Sequence, residues 1–195
     1  MSHGELRFMR FTIMPLSDGP EPVTLLPPGT QYTVTEGNNI PPINCTADCR
    51  PACNYTWFGP KVPNGTSNIL SLQNIQKKQR GVYNCMAYND VDSFKSSDVN
   101  INVHFGPELS LQFQPSNNSL TKNKGDMLGP HICSATCNPP CKYIWTTPDK
   151  TTINAAQLIV PSLSIMDHGQ FICTASNGID GSQNKSLYVS VNCKY

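Results

Sequence analysis

The chain has 195 residues, room for one or two domains. Only 14% of them are charged and the formal net charge is +1, which supplies no field for gathering nucleic acid or an acidic membrane surface. Nine cysteines and 17 prolines in so short a chain disfavour a reducing compartment and long helices.

In chain order, residues 1–18 remain unassigned to any element. They carry Glu5, an Arg10 inside their apolar stretch, and no signal-peptide core. No segment approaches the ~18 apolar residues that span a bilayer. The expectation is a piece of a longer secreted or membrane-anchored protein. An internal repeat follows. Cys45, Cys49, Cys53 and Trp57 form a C-x3-C-x3-C-x3-W run, and Cys133, Cys137, Cys141 and Trp145 repeat it 88 residues later. Gly37 and Gly125, Leu70 and Leu158, Gly81 and Gly169, and Cys85 and Cys173 keep that offset. Both copies continue as C-x-A-x-N, through Asn89 and Asn177. The chain therefore reads as two copies of one domain, 19–105 and 106–195.

Within each copy the segments are short, β-branched or aromatic, and separated by turn residues, which predicts an all-β fold. Val99–Val103 and Leu187–Val191 alternate apolar and polar residues. Strand parity places Tyr55, Trp57, Tyr83 and Cys85 on one side. It places Thr56, Phe58, Asn84, Met86 and Tyr88 on the other. By its repeat position His131 points inward where Ile43 does, and reads as a neutral, hydrogen-bonded core histidine or a local bulge.

At these residues the sequence resembles the immunoglobulin superfamily: Cys, a Trp twelve residues on, a second Cys forty residues from the first, and Tyr83 or Phe171 two residues before it. Asp167-His-Gly169-Gln-Phe171-Ile-Cys173 is similar to the family's D-x-G-x-[YF]-x-C stretch. The first copy has Gln79 in place of the Asp, and Phe171 lacks the hydroxyl of a tyrosine corner. The forty-residue spacing leaves no room for C′ and C″ strands. The resemblance is to tandem C2- or I-set sandwiches of Siglec-like, carcinoembryonic-antigen-like or hemicentin-like adhesion proteins. It implies Trp57, Trp145, Tyr83 and Phe171 as core, and Cys45–Cys85 and Cys133–Cys173 as inter-sheet bridges. Such a loop is worth about 4 kcal/mol in the chain-entropy model. Cys49 with Cys53 and Cys137 with Cys141 then read as clips within the B–C loops. The alternative is three thiolates of a zinc site that wants a fourth ligand. Cys193 is the odd cysteine, unpaired, paired with sequence outside the chain, or an interchain bridge making a dimer.

Function in such domains lies on a face rather than in the fold. Phe58, Met86 and Tyr88 form an exposed apolar patch on the first copy's C–F–G sheet, with Phe94 extending it; this is the expected protein-binding face. The matching Thr146, Thr174 and Ser176 are polar, so the second copy reads as a spacer. The alternative for the whole chain is spacer repeats of a larger extracellular protein. Sialic-acid-binding members use an Arg on strand F, which neither copy has. Glycan acceptors are expected at Asn54, Asn64, Asn117 and Asn184, with Asn44 the weakest. No phosphate loop, nucleophile elbow or usefully paired carboxylates appear, and Asp167-His168 reads as structural. The expectation is an extracellular, non-enzymatic module with no cofactor or metal, a protein ligand and no nucleic acid.

Overall fold

The computed structural model describes residues 18–62, 67–107 and 111–193. The chain falls into two compact units, and the strands among the described residues form four sheets, two from each repeat. In the first repeat the strands are β1 (Thr24–Leu26), β2 (Gln31–Thr35), β3 (Ile43–Thr46), β4 (Asn54–Phe58), β5 (Ile69–Leu70), β6 (Gly81–Tyr88), β7 (Ser93–Lys95) and β8 (Val99–His104). They make a sheet β1-β3-β5 and a sheet β2-β8-β6-β4, with β7 beside β6. The second repeat has β9 (Gln112–Gln114), β10 (Ser119–Asn123), β11 (Leu128–Ser134), β12 (Lys142–Thr146), β13 (Thr152–Ile153), β14 (Gln157–Val160), β15 (Gly169–Ser176) and β16 (Gln183–Asn192). Their sheets are β14-β11-β9 and β10-β16-β15-β12-β13. In the family's lettering C, F and G are β4, β6 and β7–β8, then β12, β15 and β16.

Period-two alternation builds each core. Tyr83, Cys85 and Ala87 are fully buried along β6, as are Phe171, Cys173 and Ala175 along β15. Trp57 and Trp145 are buried beside them, and Trp145 stacks on Phe113 with ring centroids 5.2 Å apart. Gly37 and Gly125 hold positive φ, 86° and 90°, in equivalent turns. Their N–H groups donate to Ile75 O and Leu163 O.

Three local solutions were not legible in the residue pattern. Gln79 does the work of the family's Asp: its side-chain oxygen accepts from Gln76 N–H at 2.8 Å, as Asp167 accepts from Ser164 N–H at 2.7 Å. The second repeat does add a short strand at the C′ position, correcting the expectation of none. There Thr147 N–H donates to Thr151 O, Lys150 N–H to Thr147 O, and Lys150 adopts φ 72°, so the chain turns back and β13 pairs with β12. In the first repeat strand G is interrupted. Ser96 N–H donates to Cys85 O, while the buried Ser96 hydroxyl accepts from Cys85 N–H at 2.9 Å in place of a ladder carbonyl. This breaks G into β7 and β8, whereas β16 runs unbroken.

Candidate protein-binding face

The outer face of the first repeat's C–F sheet is fixed by register. Side chains directly opposite in an antiparallel pair share a side. Asn54, Tyr88 and Ser93 lie in one row across β4, β6 and β7. Thr56, Met86 and Lys95 form the next, then Phe58 and Asn84. All face away from the buried Trp57, Cys85 and Ala87. Phe58 is 47% exposed; Met86 and Tyr88 are half-buried against their neighbours. Gly59 and Pro60 hold the edge after Phe58: Tyr83 Oη donates to Pro60 O at 2.6 Å, and a Cβ on Gly59 would collide with the Tyr83 ring. Burial raises the Tyr83 phenol from 10.0 to about 12.

Phe94 is a correction. It pairs with the buried Ala87, so it stands on the opposite side of the sheet from Met86 and Tyr88. Expected in the F–G loop, it lies instead in β7, whose register with β6 sets its side.

The structure bridges Cys45 to Cys85 and Cys133 to Cys173, and closes the two short clips Cys49–Cys53 and Cys137–Cys141. Cys193 is exposed and unpaired. The asparagine of each C-x-A-x-N motif holds the clipped loop: Asn89 Nδ2 donates to Pro51 O at 3.0 Å and Asn177 Nδ2 to Pro139 O at 2.9 Å. Tyr55 and Tyr143 reach the same loops, accepting from Ala47 N–H and Ala135 N–H. Clip, asparagine and tyrosine together brace the loop end of each C–F sheet.

The second repeat's face is less polar than its repeat positions implied. Ile144, 39% exposed, lies opposite Thr174, and the half-buried Ile172 lies opposite Thr146. Beside them an open groove of about 420 Å³ runs from Pro139 and Pro140 past Lys142 and Ile144 to Ser176. Composition at three chosen positions concealed it, although Ile144 shares the parity of Lys142 and Thr146.

His131 is inward-facing, 4% exposed, and next to a register shift in β11. The expected hydrogen bond is absent among the described residues, where neither ring nitrogen has a partner. Burial, then the charge of Lys122, lowers its pKa from 6.5. Asn54, Asn117 and Asn184 are exposed, as is Asn44. Asn64 lies outside the described residues.

Two disulfide-bridged sandwiches, each a three-stranded sheet on a five-stranded one around a buried Trp, define a tandem immunoglobulin-like protein. Residues 22–103 match the family model described as "Immunoglobulin domain". Over 183 residues the chain is 27% identical to Interference hedgehog of Drosophila ananassae, a match covering 82% of this chain and 20% of the other. The chain thus spans about a fifth of the length of that curated relative. The solved DIP-gamma IG1+IG2 pair superposes with a TM-score of 0.68 at 17% identity, covering 88% of this chain and 98% of that one. A chain in the structure of Dpr11 IG1 bound to DIP-gamma gives 0.66 at 18% identity, covering 88% of this chain and 100% of that one. The insect immune protein hemolin gives 0.52 at 18% identity, covering 90% of this chain and 47% of that one. At these identities the structures share the fold.

Proposed function

We propose that this chain is an extracellular recognition module that binds a protein partner, another immunoglobulin-like ectodomain, through the outer C–F–G face of its first domain, residues 19–105. The observation that carries the reading is the run of Tyr88, Met86 and Phe58 in successive rows of one braced sheet face. Aromatic and Met side chains presented together on a rigid surface are the residue types that anchor interfaces. The four disulfides support an oxidising, extracellular setting. Recognition between immunoglobulin domains is supported by the likeness to the DIP-gamma tandem, which is solved in complex with Dpr11 IG1. Homophilic adhesion is the theme of the hemolin structure, so a second copy belongs among the partners tested. The groove on the second repeat weighs against a pure spacer for that half.

The test is binding of the secreted protein, freed of N-linked glycans, to an array of immunoglobulin ectodomains that includes itself. At least one should bind, and Phe58→Ala with Tyr88→Ala should weaken it about 30-fold or more, the loss of a hot-spot aromatic. Unchanged binding by the folded double variant would place the contact elsewhere.

A further inference from the structure

We propose that Asn54 carries an N-linked oligosaccharide whose first sugars lie over Tyr88 and Met86, so that glycosylation controls access to this face. Asn54 and Thr56, the two recognition residues of the sequon, lie on the same outer side of β4, opposite Tyr88 and Met86 respectively. Opposed Cα atoms in an antiparallel pair are about 5 Å apart, and the diagonal neighbour about 7–8 Å. A disaccharide leaving the Asn54 amide therefore covers both side chains. Tyr88 is the aromatic beside Asn54 in that row; the residue is half-buried, and a tyrosine ring is a flat apolar surface for the C–H face of a sugar. Tyr55, between the acceptor and the threonine, faces inward and is held at Ala47, so it leaves the outer side free.

The same relation recurs from an unrelated strand of the second repeat. Asn184, with Ser186 two residues on, lies on β16 opposite Thr174, which in turn lies opposite Ile144. Asn54 and Asn184 are not repeat-equivalent, yet each puts its acceptor amide on the outer C–F–G face. By contrast Asn44 lies on the other sheet, between Leu26 and Ile69, and Asn117 precedes β10.

In the modification, Asn54 Nδ2 attacks the anomeric carbon of a lipid-diphosphate-linked oligosaccharide. The C–O bond to the diphosphate breaks, the lipid diphosphate leaves with that electron pair, and the amide loses one proton. The consequence for binding rests on the reading of this face as the partner surface; the coverage itself does not. The two fail separately, because coverage is measured without any partner.

The experiment uses the full chain secreted from a glycosylating eukaryotic host behind a heterologous signal sequence. Amidase removal of glycans converts an occupied Asn54 to Asp, read by peptide mass spectrometry. Hydroxyl-radical labelling of Met86 and Tyr88 is then compared in glycosylated protein, amidase-treated protein and Asn54→Gln. The expected result is an occupied Asn54, with labelling of Met86 and Tyr88 rising several-fold once the glycan is gone. Met166, 71% exposed in the second repeat, should label equally in all three and serves as the control. If Asn54→Gln is not secreted, the amidase arm decides alone. An unmodified Asn54, or an occupied one whose removal leaves Met86 and Tyr88 labelling unchanged, overturns the proposal.

Discussion

Replacing His131 with Ile should stabilise the second domain and remove part of its acid sensitivity. His131 occupies the repeat position of the fully buried Ile43, yet both of its ring nitrogens lack partners among the described residues. A desolvated, unpaired polar atom costs about 1–3 kcal/mol. Fitting a differently shaped side chain into a packed core costs about 1.5 kcal/mol or less. With two such atoms relieved against one repacking cost, the expected net gain is about 2 kcal/mol. For a domain of this size that raises Tm by about 10 °C. The pH dependence follows from the lowered pKa, whose main cause is burial, with Lys122 adding to it. In the folded state the ring stays neutral where the unfolded chain still takes up a proton. Its contribution is therefore complete above the unfolded value of about 6.5 and is lost as pH falls below it. Calorimetry gives the transition, and hydrogen exchange of β15 amides reports the second sandwich on its own. The wild type should lose more stability than His131→Ile between about pH 7.5 and about pH 5.5. A variant less stable than wild type at neutral pH, or one with the same acid slope, would refute the reasoning.

Other outcomes follow from equally local features. Tyr83, with a phenol raised to about 12, should ionise only near that pH in a tyrosinate absorbance titration of the folded protein. Because that folded value lies above the unfolded one, the first domain should keep full stability below about pH 10 and lose it as pH rises toward 12. Tyr83→Phe should lose about 1 kcal/mol of stability at neutral pH with the hydrogen bond to Pro60 and abolish that alkaline slope. Ser96→Ala should strip the buried Cys85 N–H of its acceptor and cost about 1–3 kcal/mol in a denaturant titration of the first domain. If Cys193 bridges two chains, non-reducing gels of the secreted protein show a dimer that is absent from Cys193→Ser.

Much of the fold was legible because the repeat displays it twice. Two instances of C-x3-C-x3-C-x3-W with a second cysteine at equal spacing locate strands B, C and F, and parity then settles which aromatics are inside. The features that escaped are those in which a backbone bond is replaced or a strand is displaced. The Ser96 hydroxyl substitutes for a ladder carbonyl, so strand G continues as β7 and Phe94, expected in the loop, takes its side from the β6 register. The Thr147–Thr151 turn adds a strand that spacing alone gave no reason to expect. The groove beside Ile144 needs Pro139 and Pro140 brought over the sheet by a clipped loop, which no single strand announces. His131 points inward as its repeat position predicts, but its lack of partners among the described residues is not written in the repeat. Asn54 and its neighbour across the sheet were both visible in the sequence; their juxtaposition required the β4–β6 register.

The central claim is that Tyr88, Met86 and Phe58 form the contact surface. It is tested most directly by measuring the affinity of wild type and of Phe58→Ala with Tyr88→Ala for the same ectodomain, both freed of the Asn54 glycan. A loss of about 30-fold or more with the fold intact is the expected result, and equal affinity of the two proteins contradicts it.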